Sequence, residues 1–353
     1  MAVWYVSSAK YATVTARANS TAYVIGDIRR QGPATPTVGQ ERVFRCTTAG
    51  TSSATEPTVA NYVGSNTTRG GTVTDGTVTW TEITGNATYG WTAPHGTLTG
   101  GLNQTNTAGD TYYVDSAHAE SSTTQPKSLA TLGSNTAPLH IYCVNSSAAP
   151  PTALATGATV TYTGGTMTGV TTAGYLDVYG ITFTATGFEF YNTAYGRQIY
   201  NTCTFTFTGA GSGTLALGTT NAVQGNEVQW QNCTLKFSAT GQSVVAVNNN
   251  APAGPFVWKG GSIDSAGSAP TTLFTGATVA GCCTTTLIGV DLSALGSGKN
   301  LVSLAQAGCT FRLIDCKLGS SVSITTGSAI SGQADVQVVN SDSSATNYRY
   351  YKS

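Results

Sequence analysis

The strongest constraint in this sequence is a short strand-like pattern that recurs through its C-terminal two thirds. The copies read LDVYGI (176–181), QIYNTC (198–203), VQWQNC (228–233), FVWKGG (256–261), TTLIGV (285–290), FRLIDC (311–316) and VQVVNS (336–341). Successive copies end 22, 30, 28, 29, 26 and 25 residues apart. Each has alternating apolar positions, then a small or polar residue, then a compact residue of buried type. Fixed-period self-similarity is the mark of a repeat architecture. Helical repeats need apolar spacing near 3.6 residues, whereas the spacing here is two and Thr, Gly and Asn crowd the gaps, so each copy is predicted to be a strand. Leucine is too scarce for leucine-rich repeats.

One such coil cannot bury its own apolar face, so coils must stack at the inter-strand spacing and share backbone hydrogen bonds. The expected fold is all-β: a right-handed parallel β-helix over residues 91–353. Two weaker copies, LHIYCV (139–144) and VTYTGG (160–165), extend the count from seven coils to about nine. Cys203, Cys233 and Cys316 end three of the copies and are expected to form an interior ladder. A metal site would need spaced pairs such as Cys-x-x-Cys, and the only close pair is the adjacent Cys282–Cys283. No metal and no cofactor is expected.

Charge narrows the partners. Only 9% of residues are charged, and 16 basic against 16 acidic side chains leave a formal charge of zero. Nucleic acid and anionic membranes both require clustered Lys and Arg, so neither is expected as a partner. Disorder is disfavoured by the abundance of aromatic and β-branched residues. Near-zero net charge promotes association, which predicts a homo-oligomer. Met1 precedes Ala-Val-Trp-Tyr-Val, without a basic segment or a long apolar run, so synthesis in a cytosol is expected. In that compartment the eight cysteines read as buried hydrophobes, not a disulfide framework.

Residues 1–90 read differently, as a small antiparallel β-module. The segments 21–28, 42–52 and 71–80 alternate around turn residues, with Asp75-Gly76 a tight-turn signal. The order Tyr23, Gly26-Asp27, Phe44-Arg45-Cys46, Ala49-Gly50-Thr51-Ser52, Glu56-Pro57 and Thr72-Val73-Thr74-Asp75-Gly76-Thr77-Val78-Thr79-Trp80 resembles a module of tailed-bacteriophage virion proteins that is itself similar to small carbohydrate-binding modules. The segments 109–120 and 138–145 resemble the opening turns of phage β-helix proteins. The two resemblances imply a place on a virion. The first expectation is a capsid decoration protein, trimeric and clamping the major capsid protein, and the early stop after the last copy favours it. The alternative is a tail fibre or tailspike that binds host surface glycans, with or without hydrolysis.

No P-loop, dinucleotide fingerprint, nucleophile elbow or His-Glu-x-x-His is present. His118-Ala119-Glu120 lacks the Pro-Cys-x-x-Cys that completes a zinc-deaminase site, so a surface loop or coil cap is expected there. Glycoside hydrolysis needs two carboxylates roughly 5 to 9.5 Å apart. Of Asp177, Glu189, Glu227, Asp264, Asp291, Asp315 and Asp335, only Asp177, Asp291, Asp315 and Asp335 lie in or beside the repeat strands, each at a different repeat position, so no pair is expected to stack in register and an enzyme is not expected. Trp4, Trp80, Trp91, Trp230 and Trp258 all have the apolar ring face that sugars stack on. Trp230 and Trp258 occupy the same place in consecutive copies and are expected to be core. Tyr23, Tyr62 and Trp80 are the candidates for glycan or partner contact, with a place in the module core as the favoured alternative for Trp80.

Overall fold

The computed structural model describes residues 1–57, 70–104, 106–125, 134, 136–168, 175–190, 196–208, 215–216, 227–238, 245–247, 255–265, 269–276, 284–304, 310–319, 322–330, 335–341 and 349–350. The protein is nearly all β and is dominated by a 17-stranded sheet in which almost every pairing is parallel. Two ladders run through that sheet. The first begins with Val3–Val6 and continues through Thr111–Asp115, Leu139–Val144, Tyr175–Tyr179, Arg197–Asn201, Glu227–Phe237, Phe256–Asp264, Thr284–Ile288, Thr310–Ile314 and Asp335–Val339. The seven strong sequence copies fall in one unbroken register, with Leu176, Gln198, Val228, Phe256, Thr285, Phe311 and Val336 as successive partners.

Ala119–Ser122, Ala158–Tyr162, Ile181–Ala185 and Thr204–Phe207 open the second ladder. The far halves of the two long strands, then Asp291–Leu292 and Lys317–Leu318, continue it. Two smaller parallel sheets complete the arrangement, Thr166–Met167 with Gly187–Glu189 and Leu215–Ala216, and Val245–Val247 with Thr272–Gly276, Asn300–Leu304 and Ser323–Ile330. The chain visits these ladders in turn. LHIYCV joins the first ladder as expected, with Leu139 on Leu176. VTYTGG does not: its Val160 pairs with Phe183 in the second ladder, so it continues the preceding copy. Sequence alternation alone cannot tell two ladders of one repeat apart.

The corner between the ladders explains the fifth position of each copy. Gly180, Thr202, Asn232, Gly260, Gly289, Asp315 and Asn340 all have φ between +47° and +74°. Such left-handed backbone is cheap for Gly and tolerable for Asn and Asp, which is why small or polar residues recur there. The following residue turns inward: Ile181, Cys203, Cys233, Val290 and Cys316 are buried. Gly261 takes that place in its copy because a Cβ would lie 2.0 Å from the Cys233 carbonyl oxygen. Thr202 is the one β-branched residue at the corner, where its Cβ opposes the turn. Thr202→Asn is therefore expected to raise stability by about 0.5–1 kcal/mol, read as an upward shift in the thermal midpoint.

Odd positions of the first-ladder strands point inward and form one apolar core running from Val6 to Val336. A short helix, Leu98–Leu102, lies wholly buried against its N-terminal end, with Leu98, Leu102, Tyr112 and Val114 in the same cluster. Thr97 caps this helix by accepting from the Gly100 N–H. Glu120 accepts from the Leu98 and Thr99 N–H groups at 2.7 and 3.3 Å, satisfying donors that a helix start otherwise leaves orphaned. At the other end Arg349–Tyr350 pairs antiparallel with Asp335–Val339, so the last parallel strand is not left as an open edge.

The antiparallel unit expected near the N-terminus is a four-stranded sheet in the order Ile28–Arg30, Val43–Thr48, Val78–Glu82, Thr72–Asp75. It has its own small core of Tyr23, Phe44, Cys46, Val73, Val78 and Trp80. Its tight turn is formed by Gly76 and Thr77, with Gly76 at φ +65°. Asp75 is the last residue of its strand, and Gly76 leads the two-residue loop. Val3–Val6, although within residues 1–90, belongs to the parallel sheet.

Candidate functional site

Each residue flagged from sequence has a definite place. Trp80 and Tyr23 are 1% and 4% exposed. Their rings meet edge to face at 4.8 Å, and the Trp80 Nε1–H donates to Asp75 Oδ2 at 3.1 Å. Both rings are thus consumed by the core of the antiparallel unit and offer no face to a ligand. Tyr62 lies outside the described residues, as does the Cys282–Cys283 pair. Cys203, Cys233 and Cys316 are free and buried. Burial, and next the neighbouring Cys233, push the Cys203 thiol well above its ordinary range, so it stays protonated and unreactive. Among the described residues no cluster of His, Cys, Asp and Glu could hold a metal.

Trp230 and Trp258 are register partners and fully buried. Trp230 stacks on Phe205 at 4.4 Å and meets Trp258 edge to face at 5.2 Å, as expected for a core ladder. The acids along the ladders oppose bases or neutral residues. Asp177 faces His140, Glu227 faces Arg197, Asp264 faces Lys236 and Asp291 faces Lys317. Glu189 pairs with Ala216 and Asp335 with Thr310, while Asp315 sits at a corner. None of the seven is the register partner of another. Lys236–Asp264 and Lys317–Asp291 close to 3.0 Å. Hydrogen bonds from Ser293, and then Lys317, hold Asp291 below the usual carboxylate range.

His118 and Glu120 lie beneath the buried helix and not in a surface loop. His118 Nδ1 accepts from the Ser8 N–H at 3.0 Å. That assigns the proton to Nε2, which points at Glu120 Oε2 at 3.3 Å. With Ser7 Oγ donating to Asp115 Oδ2 at 2.7 Å, these groups pin the Ser8–Thr13 helix to the Thr111–Asp115 and Ala119–Ser122 strands. Their hydrogen bonds are structural, since each polar atom is spent on backbone, on a helix end or on another member of the group.

Two features were not singled out from sequence, although Trp91 was named among the rings that sugars could stack on. The first is a cleft of about 470 Å³ lined by Lys10, Thr13, Val14, Thr15, Ile28, Trp91 and Thr92. Trp91 is half-buried and locked in place: its Nε1–H donates to the Ala148 carbonyl at 2.7 Å, and it meets Tyr5 edge to face at 4.8 Å. The second is a column of tyrosines. Tyr5, Tyr113, Tyr142 and Tyr179 are successive register partners at an outward position of the first ladder, and the last three are half-buried. Burial, and after it Asp177 and Tyr113, push the Tyr142 hydroxyl up to about 12. The signal was present: Tyr142 and Tyr179 are the fourth residues of LHIYCV and LDVYGI, an outward position in an alternating strand.

Comparison of the chain with family models, curated proteins and solved structures found no match. Among the described residues no helix is long and apolar enough to cross a membrane.

Proposed function

We propose that this chain is a non-enzymatic structural protein of a tailed-phage virion, built as a right-handed parallel β-helix with a small β-module at its N-terminal end. The observation that carries the structural part is the unbroken register of the first ladder through all seven strong repeats, with the chain returning to it after each visit to the other ladders. Right-handed passage follows the rule for parallel crossovers. A rod of this kind is stiff because every coil is hydrogen-bonded to its neighbours. The opposed charges along the ladders support a structural role over a hydrolytic one, since glycoside cleavage needs two carboxylates facing one bond.

The virion assignment rests on the sequence resemblance. A capsid decoration role, as a homotrimer against the major capsid protein, suits a surface with zero formal net charge. Quantitative mass spectrometry of purified virions, with heads and tails analysed separately, tests it. Hundreds of copies partitioning with heads is the expected result. A few to a few tens of copies with tails would replace decoration by the tail-fibre reading, which the half-exposed Trp91 cleft favours. Absence from virions would overturn both.

A further inference from the structure

Zero net charge predicts that copies of this chain associate, but not through which face or in which orientation. The outward side of the first ladder carries that information. Register sets one outward residue from each strand, from Thr111–Asp115 to Asp335–Val339, into a single column. The column opens with Tyr113, Tyr142 and Tyr179. Asn201, Gln231 and Lys259 follow, and Ile288, Ile314 and Val339 close it. Lys259 and Val339 are exposed, Val339 at 45%, and the others are half-buried. Single apolar residues on a surface are ordinary, whereas a contiguous run of them marks an interaction face.

The polarity of this column reads the same from either end: apolar, polar, apolar. Inverting one copy against another about Gln231, the middle residue, therefore sets the three tyrosines of each copy on the three aliphatic residues of the other. Such a contact is isologous, the commonest kind between identical chains. The neighbouring outward column agrees. Ile199 and Val257 lie one coil to either side of Gln229 and meet across the same axis. Asp177 comes within one coil of Arg312 of the second copy, and Lys259 faces Asn201. Glu227 falls opposite itself at the rim, where Arg197, its register partner, flanks it. With the copies parallel, Asp177 and Arg312 would each oppose their own likeness, which disfavours that arrangement. Strands about 4.8 Å apart and five residues of about 3.3 Å give a face of roughly 40 by 16 Å. Two such faces bury roughly 1,200–1,300 Å² together, within the range of specific interfaces.

We propose that two copies of this chain pack antiparallel and face to face through the first ladder, about a two-fold axis at Gln231. The tyrosines supply the aromatic area, and the aliphatic end the low charge, that interface cores favour. The inference does not rest on the virion assignment. A three-fold contact of the kind expected for decoration would use the other faces of the coil and, combined with this one, would give a hexamer.

Sedimentation equilibrium and cross-linking of the full chain with a short bis-maleimide test this. An even-numbered assembly is expected. Ile314→Asp, which enters the contact twice, should weaken association at least about tenfold while the far-ultraviolet circular dichroism stays native. If that variant does not fold, Val339→Asp, at a position 45% exposed, carries the comparison. With the native chain as control, Gln231→Cys should link to itself. Tyr142→Cys should link to Ile314→Cys in a mixture of the two, and not to itself. A monomer overturns the proposal and leaves the face to a different protein. A trimer, or self-linking of Tyr142→Cys, also overturns it, as does an association that the folded aspartate variants leave unchanged. None of these readouts depends on virion copy number, so failure here and failure of the virion reading are told apart.

Discussion

Trp230→Ala is expected to lower the unfolding free energy by about 3–5 kcal/mol, the range for emptying a buried aromatic site. The ring is fully buried. It stacks on Phe205 and meets Phe190, Phe256 and Trp258 edge to face, at centroid distances of 4.4, 5.6, 5.2 and 5.2 Å. Those neighbours come from three other repeats of the ladder and cannot collapse into the void without breaking its register. Trp230→Phe should cost much less, because it keeps most of the ring. It also removes an indole N–H that has no hydrogen-bond partner among the described residues. Urea denaturation followed by far-ultraviolet circular dichroism measures both. A loss below about 1 kcal/mol for the alanine variant would mean that the ring does not knit neighbouring coils together.

Asp75→Ala is the second large effect, again about 3–5 kcal/mol, but confined to the antiparallel unit. Asp75 is 1% exposed and Arg17 is 3% exposed. Arg17 donates to both carboxylate oxygens, from Nε at 2.9 Å and Nη2 at 2.8 Å. Ser53 adds its N–H at 3.0 Å and its hydroxyl at 2.6 Å, and Trp80 its indole N–H. Removing the carboxylate takes away the counter-charge of a buried guanidinium that keeps neutral acceptors such as the Ser53 and Thr55 carbonyls, which is where the cost arises. The double variant Arg17→Ala with Asp75→Ala should therefore lose less than the two singles added together.

The same residue sets a pH dependence. Burial pushes the Asp75 carboxyl up, but the hydrogen bonds from Arg17, Ser53 and Trp80 outweigh it and hold the group below its ordinary 3.8. A carboxyl depressed in the folded state contributes stability that is fully present above its unfolded value and is lost as pH falls through the folded one. The antiparallel unit is expected to weaken below about pH 4, seen as a change in Trp80 fluorescence. Asp75→Asn should abolish that portion of the acid transition.

Much of the strand pattern was legible because a period of two with a fixed corner leaves little freedom. The fifth position of every strong copy is Gly, Asn, Asp or Thr, and every one proved left-handed; the sixth is compact wherever the chain must turn inward. Acid placement was legible for the same reason: Asp177, Asp291, Asp315 and Asp335 hold different repeat positions and so cannot become register partners. The site was less so. Tyr23 and Trp80 were named as glycan candidates, Trp80 with a place in the module core as the favoured alternative; alternation allows either, and burial is decided by what packs on the other side, here each other and Asp75. Trp91 carries no repeat pattern: it falls just past the N-terminal module and before the repeats, and Ala148, 57 positions away, holds its indole.

The sequence by itself determined that the C-terminal two thirds must stack strands in register, because a recurring half-apolar strand has no other way to bury its face and satisfy its backbone. Only the tertiary structure decided which aromatics stay at the surface. Three half-buried tyrosines, Tyr113, Tyr142 and Tyr179, are brought into line by strand register, and Trp91 is held by Ala148 and Tyr5 through long-range packing.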